Sequence, residues 1–237
     1  MKRKLWVTPL FLFTFLLCNA QKKNYFSFEN GVYFGNTNSN IAAGMVSSGL
    51  NDTEAADFFL FTITTDYPRK KTDNTSYRVK FGHYLNDKTA IEAGFGLSYS
   101  GEVKGYDEKG LGQSSNYLTL TSNINTLYIA FVKTDTRGAT GFGIGPAFSF
   151  YKLTKDINRG SLKQSENYFL PGAMMNGFWH FVACPSWFVG IGTELLFTTP
   201  AKIDEIKITT QTSTSTFKST KAGSFNGNIS LNAGFRF

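Results

Sequence analysis

From Asn228 to Phe237 the chain reads NISLNAGFRF, and every second residue is apolar. Ile229, Leu231, Ala233, Phe235 and Phe237 alternate with Asn228, Ser230, Asn232, Gly234 and Arg236. A period of two describes a strand with one apolar and one polar face. The alternation runs through the last residue, so that residue belongs to the strand. Such a strand needs a pairing partner on each edge and a cover for its apolar face.

The same pattern recurs along the chain. In 141–153, Phe142, Ile144, Pro146, Phe148 and Phe150 oppose Gly141, Gly143, Gly145, Ala147 and Ser149. In 90–100, Ile91, Ala93, Phe95, Leu97 and Tyr99 oppose Glu92, Gly94, Gly96 and Ser98. In 186–197, Trp187, Val189, Ile191, Leu195 and Phe197 oppose Gly190, Gly192 and Glu194; in 77–85, Tyr77, Val79, Phe81 and Leu85 oppose Arg78, Lys80 and Gly82. Composition matters here: the chain has 23 glycines and 24 phenylalanines, and in these stretches the glycines lie on the polar face and most phenylalanines on the other. A soluble β-sandwich carries Lys, Glu and Thr on its solvent side, where glycine only weakens a strand. A narrow barrel needs small residues inside, and lipid accepts large apolar ones outside. The glycine face therefore points to a membrane barrel; the sandwich is the rival, and it predicts folding without detergent.

The N-terminus fits that destination. Lys2, Arg3 and Lys4 precede an apolar run over 5–17, and Ala20 is a small residue suited to cleavage. This reads as a secretory signal peptide over 1–20, with 21–237 as the mature barrel domain. A lipoprotein signal centred on Cys18 is the weaker reading, because Leu17 is not small. Loss of three basic residues lowers the formal charge from +7 to +4. No basic patch with interleaved aromatics accompanies that charge, so nucleic acid is not an expected partner. Cys184 is left alone, which excludes an intramolecular disulfide in the mature chain. No mature segment has the 18 consecutive apolar residues of a helical span.

Strands are expected near 24–35, 76–85, 89–100, 117–134, 140–155, 166–183, 186–200 and 222–237. The links 86–88, 135–139 and 184–186 are short. Those at 36–75, 101–116, 156–165 and 202–221 are long and polar. Short and long links alternate, as in barrels with periplasmic turns and external loops. The expected fold is all-β: an eight-stranded antiparallel up-and-down transmembrane β-barrel with both termini periplasmic. Two features of the first long link stand apart. Residues 58–67 have strand composition and read as an outward extension of the second strand or as an extra strand; 42–50 reads as a short helix. In the last link, 203–218 reads as a hairpin above the membrane with TSTST (212–216) at its tip, or as a solvated loop.

With 81–100, the NAGFRF ending and the signal peptide in view, the chain resembles the eight-stranded outer-membrane β-barrel proteins of Gram-negative bacteria. These are a porin-like group that includes small OmpA- and OmpX-type barrels. The resemblance implies a place in the bacterial outer membrane, with outer-membrane lipid and the barrel-assembly machinery as partners. It also implies that Gly234, Phe235 and Phe237 serve as the assembly signal, although Gly234 lies closer to the end than the usual spacing. An extracellular ligand or protein would be met through the loops.

The inward set contains Glu29, Arg78, Lys80, Glu92, Glu194 and Arg236. Unpaired charges in a narrow interior are costly, so these are expected to form a lumen charge cluster that plugs the barrel and fixes register. The rival is a narrow pore, or a conduit for small solutes or hydrophobic ligands, lined by the same groups. Tyr84, Trp179 and Trp187 fit an interfacial aromatic girdle. Neither His83 nor His180 has metal-ligand spacing, so no metal and no cofactor is expected. Some barrels of this type modify lipid A with a His and a Ser two apart on one strand face. His180 has Phe178 and Val182 at those positions, so the expectation is a non-enzymatic protein with a structural or loop-mediated interaction role.

Overall fold

The computed structural model describes residues 23–50, 56–58, 61–63, 69–71, 75–107, 116–135, 138–158, 160–209 and 214–237. The expected signal segment over 1–20 lies outside them. Eight long strands carry the architecture: β1 (Asn24–Gly35), β5 (Thr75–Asn86), β6 (Thr89–Asp107), β7 (Asn116–Thr134), β8 (Thr140–Ile157), β9 (Leu162–Ala183), β10 (Trp187–Thr198) and β15 (Phe225–Arg236). Each pairs antiparallel with its neighbours, and β1 pairs with both β5 and β15, so the sheet closes into a barrel. At the seam, Asn24 and Phe237 exchange both backbone hydrogen bonds at 2.9 Å. Closure removes the free edges that a terminal strand would otherwise present.

Side chains alternate along every strand. On β5, Ser76, Arg78 and Lys80 are buried, while Tyr77, Val79 and Phe81 are exposed. Pro146 interrupts the β7–β8 ladder, whose register runs from Tyr128↔Ala147 to Phe131↔Ile144 across the gap. A proline supplies no N–H to a ladder, so an irregularity there is expected. Inward glycines let walls and side chains approach. At Gly94 an added Cβ would sit inside the ring of Tyr128; at Gly145 it would meet Ile129 O.

The strands outrun the boundaries expected from the sequence on the side away from the termini. β6 continues to Asp107 and β9 begins at Leu162, so much of the two middle polar links is strand. Pairing continues there through β6–β7, β7–β8 and β8–β9, and the short β4 (Arg69–Lys71) adds to β6 at 102–104. The result is a five-stranded crown standing on one side of the barrel. Its thread of alternating Thr, Lys and Asn on the outward side hid the continuation, because such residues suit water as well as a loop.

The inner face of the crown is filled. Helix α1 (Thr37–Ser47) buries Ile41, Ala42 and Met45 against Val103, Leu118 and Leu120. It starts five residues before the expected segment. It ends where Gly49 takes φ +76° and the N–H of Leu50 returns to Met45 O at 2.9 Å. That is the left-handed stop that glycine provides. From the other side come two small ladders in the 199–224 link: β11 (Ala201–Ile203) with β14 (Thr220–Ala222), and β12 (Ile206–Thr209) with β13 (Thr214–Phe217). Ile203, Ile206, Ile208 and Phe217 are buried in the same core. A hairpin does form in 203–218, but its apolar face packs down onto the crown, and the last three residues of TSTST, Thr214, Ser215 and Thr216, are strand. Residues 210–213 lie outside the described residues.

The described part of 58–67, residues 58 and 61–63, is not in the barrel sheet. β2 (Ala56–Phe58) and β3 (Phe61–Ile63) pair with each other in a separate two-stranded sheet. The remainder of that segment lies outside the described residues.

Candidate functional site

The lower lumen is polar and crowded. Lys80 Nζ lies 2.8 Å from Glu29 Oε1 and 3.9 Å from Glu92 Oε1. Arg78 Nη2 lies 3.0 Å from Glu194 Oε1. Among the described residues this last contact is a charge contact without an aligned hydrogen bond, since both Glu194 oxygens lack one. Glu92 is the most fully engaged acid: it accepts from Tyr25 Oη at 2.6 Å, Tyr128 Oη at 2.9 Å and Asn176 Nδ2 at 2.7 Å. Glu29 accepts from Ser230 Oγ at 3.1 Å. The register explains the gathering: Glu29 pairs with Arg78 on β5 and with Asn232 on β15, and Glu194 pairs with Asn228. Tyr25, Tyr128 and Asn176 are contributors that charge counting in the sequence did not reach. Their signal was there, as polar groups on inward positions of β1, β7 and β9.

Arg236 stands apart from this cluster. Its guanidinium donates to Cys184 O at 3.0 Å and Gly138 O at 2.9 Å, and lies 5.3 Å from the centre of the Phe188 ring. It ties two inter-strand links to the last strand. Beside it, His180 stacks between Phe178 and Phe188, centroids 4.5 Å and 4.2 Å away, with Nδ1 2.9 Å from Gly138 O. Both faces of the imidazole are covered. His83 points outward, with Nδ1 2.8 Å from Asn24 Oδ1. No group of three metal-binding side chains occurs among the described residues. The cavity between this mouth and the charge cluster measures about 10 Å³, lined by Tyr25, Glu29, Lys80, Glu92 and His180. That is room for about one water.

Tyr84 departs from the girdle expected of it. His83 faces out, so strand alternation turns Tyr84 in, where its ring lies 5.3 Å from Tyr25. Trp179 and Trp187 do face outward, 56% and 48% exposed.

The outer wall decides the environment. Phe28, Phe81, Phe95, Ile129, Phe142 and Leu231 are exposed on six different strands, with many others like them, in one continuous band. Water-soluble monomers do not expose apolar area on that scale, and a closed barrel wearing such a band is built for a lipid bilayer. It is an outer-membrane β-barrel. The termini and the links β5–β6, β7–β8 and β9–β10 lie at one end of the barrel, and the crown stands at the other.

The chain is similar to several solved structures. OprG from Pseudomonas aeruginosa is 11% identical over 91% of this chain and 97% of its own, at a TM-score of 0.45. AlkL, determined in lipid bilayers, is 16% identical over 92% and 90%, at 0.40. Ail of Yersinia pestis is 12% identical over 92% and 100%, at 0.39. No protein-family model and no curated protein matches the sequence.

A second surface lies on the crown. β10 pairs with β9 only from Ala183 to Gly172, and Thr199 N donates to Pro171 O at 3.0 Å just beyond. Above that point β10 has ended and turned inward into β11. Among the described residues, the edge of β9 from Leu162 to Leu170 has no neighbour on that side. Backbone groups alternate direction along a strand. Since Pro171 O points to the β10 side, the N–H and C=O groups of Phe169, Asn167, Ser165 and Lys163 point there too.

Proposed function

We propose that this barrel is a closed anchor that acts through its extracellular crown, by recruiting an extended segment of a partner onto the free edge of β9. The reading rests on that edge: four backbone donor–acceptor sets with no strand beside them among the described residues, standing above the membrane on the crown. An unpaired edge is a template for strand addition, in which main-chain hydrogen bonds give affinity. The filled lumen supports the anchor half of the reading, because ion pairs close the lower half and the α1 core occupies the upper half. The assembly-signal role of Gly234, Phe235 and Phe237, the cleaved segment 1–20 and the absence of enzymatic activity belong to the same proposal.

The test uses extended peptides selected from a random display library on the folded barrel. Ser165→Pro and Asn167→Pro each remove one edge N–H while leaving the β8-facing groups in place. Edge binders are expected to lose affinity on either substitution. Selected binders that all tolerate both would refute the edge, and steady conductance in planar bilayers would refute the closed anchor.

A further inference from the structure

The outward side of the crown changes character in one step. On β7, β8 and β9 the apolar band ends at Leu127, Phe148, Phe150 and Phe169, with the Phe169 ring 5.4 Å from Phe148 and 5.6 Å from Phe150. Two residues further up come Asn123, Lys152 and Asn167, neighbours in register: a cation with an amide on each side. None of these three side chains has a hydrogen bond or an ion pair among the described residues. Above them Thr121, Thr154 and Ser165 form a row of hydroxyls, with Thr154 Oγ1 3.0 Å from Ser165 Oγ. The third row, Thr119, Asp156 and Lys163, sets an acid opposite a base and adds no net charge. The three rows span about 10 Å across the strands and about 13 Å along them. Lys152 is the uncompensated charge.

Two features decide what such a face can hold. Its backbone is already used, since β7 pairs with β6 and β8, and β8 with β7 and β9. Only side chains are left to bind, and they are amides and hydroxyls, which both donate and accept and so suit a polyol. The vertical order is that of an amphiphile: an apolar wall, then a cation between amides, then hydroxyls, against acyl chain, phosphate and sugar. A basic residue at the edge of the band meets anionic headgroups. The opposite wall has no such order. There β1, β15 and β10 end outward in Phe34, Phe225 and Phe197, with ring centres 6.2 and 5.4 Å apart.

We propose that the outward face of β7, β8 and β9 in the crown binds one phosphorylated glycolipid of the outer leaflet. Its acyl chains lie on Leu127, Phe148 and Phe169, a phosphate meets Lys152, and the sugar crosses the rows above. A phospholipid would match only the lower part of this face, and a soluble saccharide only the upper part. The assignment takes from the proposed function only that the crown is extracellular. It does not depend on strand addition, because the open edge of β9 lies on the side away from β8.

The experiment titrates the full folded barrel in detergent with lipid A and counts retained lipid by native mass spectrometry. One lipid A per barrel is expected. Lys152→Gln is expected to weaken retention about tenfold, the loss of one charge-assisted contact. Dephosphorylated lipid A is expected to bind wild type and Lys152→Gln alike. Thr154→Val should weaken lipid A retention severalfold, and Thr193→Val, exposed on β10 of the opposite wall, should not. Phosphatidylglycerol held as tightly as lipid A would overturn the inference. So would unchanged retention in Lys152→Gln, or equal competition by the phosphorylated disaccharide stripped of its acyl chains. Orientation is read separately: in a Cys184→Ser background, Ser165→Cys is expected to react with an impermeant maleimide on intact cells. An unlabelled crown would overturn the outer-leaflet site and the anchor reading together; a labelled crown that retains no lipid A overturns this inference alone.

Discussion

Lys80 holds two acids at once, and its removal has a size that the geometry sets. Its side chain is 4% exposed, 2.8 Å from Glu29 and 3.9 Å from Glu92. With an effective dielectric constant of about 20, those separations correspond to attractions of about 6 and 4 kcal/mol before desolvation is subtracted. Burial of the ammonium consumes most of that gain, so the pair adds little net stability. Breaking it is another matter. In Lys80→Met, Glu92 keeps Tyr25, Tyr128 and Asn176, but among the described residues Glu29 keeps only Ser230. A carboxylate left buried and uncompensated costs about 3–5 kcal/mol. Urea titration of the barrel in vesicles should record a loss of that order. Adding Glu29→Gln to Lys80→Met should return more than half of it, because the stranded charge is gone. A single-variant loss below about 1 kcal/mol, or a double variant that is simply additive, would show that Glu29 and Lys80 are not coupled as the distances imply.

Three further outcomes can be checked on the same material. Gly145→Ala places a methyl group against Ile129 O, backbone that cannot swing aside; the cost is about 1–3 kcal/mol, read as a lower temperature for conversion of the fast-migrating folded band in SDS. Removal of Phe237 deletes both hydrogen bonds to Asn24 and the ring contacts to Phe81 and Phe235; it should cost about 1–2 kcal/mol in vesicles and slow insertion by the assembly machinery more than spontaneous folding. In the crown, partial burial pushes the Glu166 carboxyl up, but hydrogen bonds from Lys155 and Tyr168 at 2.5 Å outweigh it and hold the group below its usual value near 4.5. A depressed carboxyl stabilises the fold above that usual value and loses its contribution as pH falls through the folded one. Protease resistance of the crown should therefore fall with acid in the wild type, and Glu166→Gln should remove that dependence.

The barrel was legible because its two solvents differ so much. Lipid outside and a tight lumen inside write opposite residue types on alternate positions, and β1 could be read to its ends, Asn24 and Gly35. The lumen partners of Glu29 and Arg78 followed from the same parity. Three things did not follow. Above the membrane both faces of β6 and β9 meet polar or mixed surroundings, so the alternation fades although the ladder continues. Arg236 carries the right charge on the right face but sits at the strand's end, where turn carbonyls reach it before any acid does. Tyr84 has a girdle residue's chemistry, and only its parity with His83 sends it inward. The crown core was hidden for another reason: Ile41, Val103, Leu118, Ile208 and Phe217 come from segments that look like isolated loops until the barrel brings them together.

That last arrangement ties surface identity to completion. The hairpin bearing Ile208 and Phe217 is strung between β10 and β15, and Tyr33 reaches Asn226 across 193 positions of sequence. The α1 core cannot be finished until β15 has met β1. A half-inserted chain would thus present a different exterior from a closed one, with α1 unroofed and the hairpin loose. Any antibody or receptor that reads the crown is in effect reading whether the wall below it has been sealed.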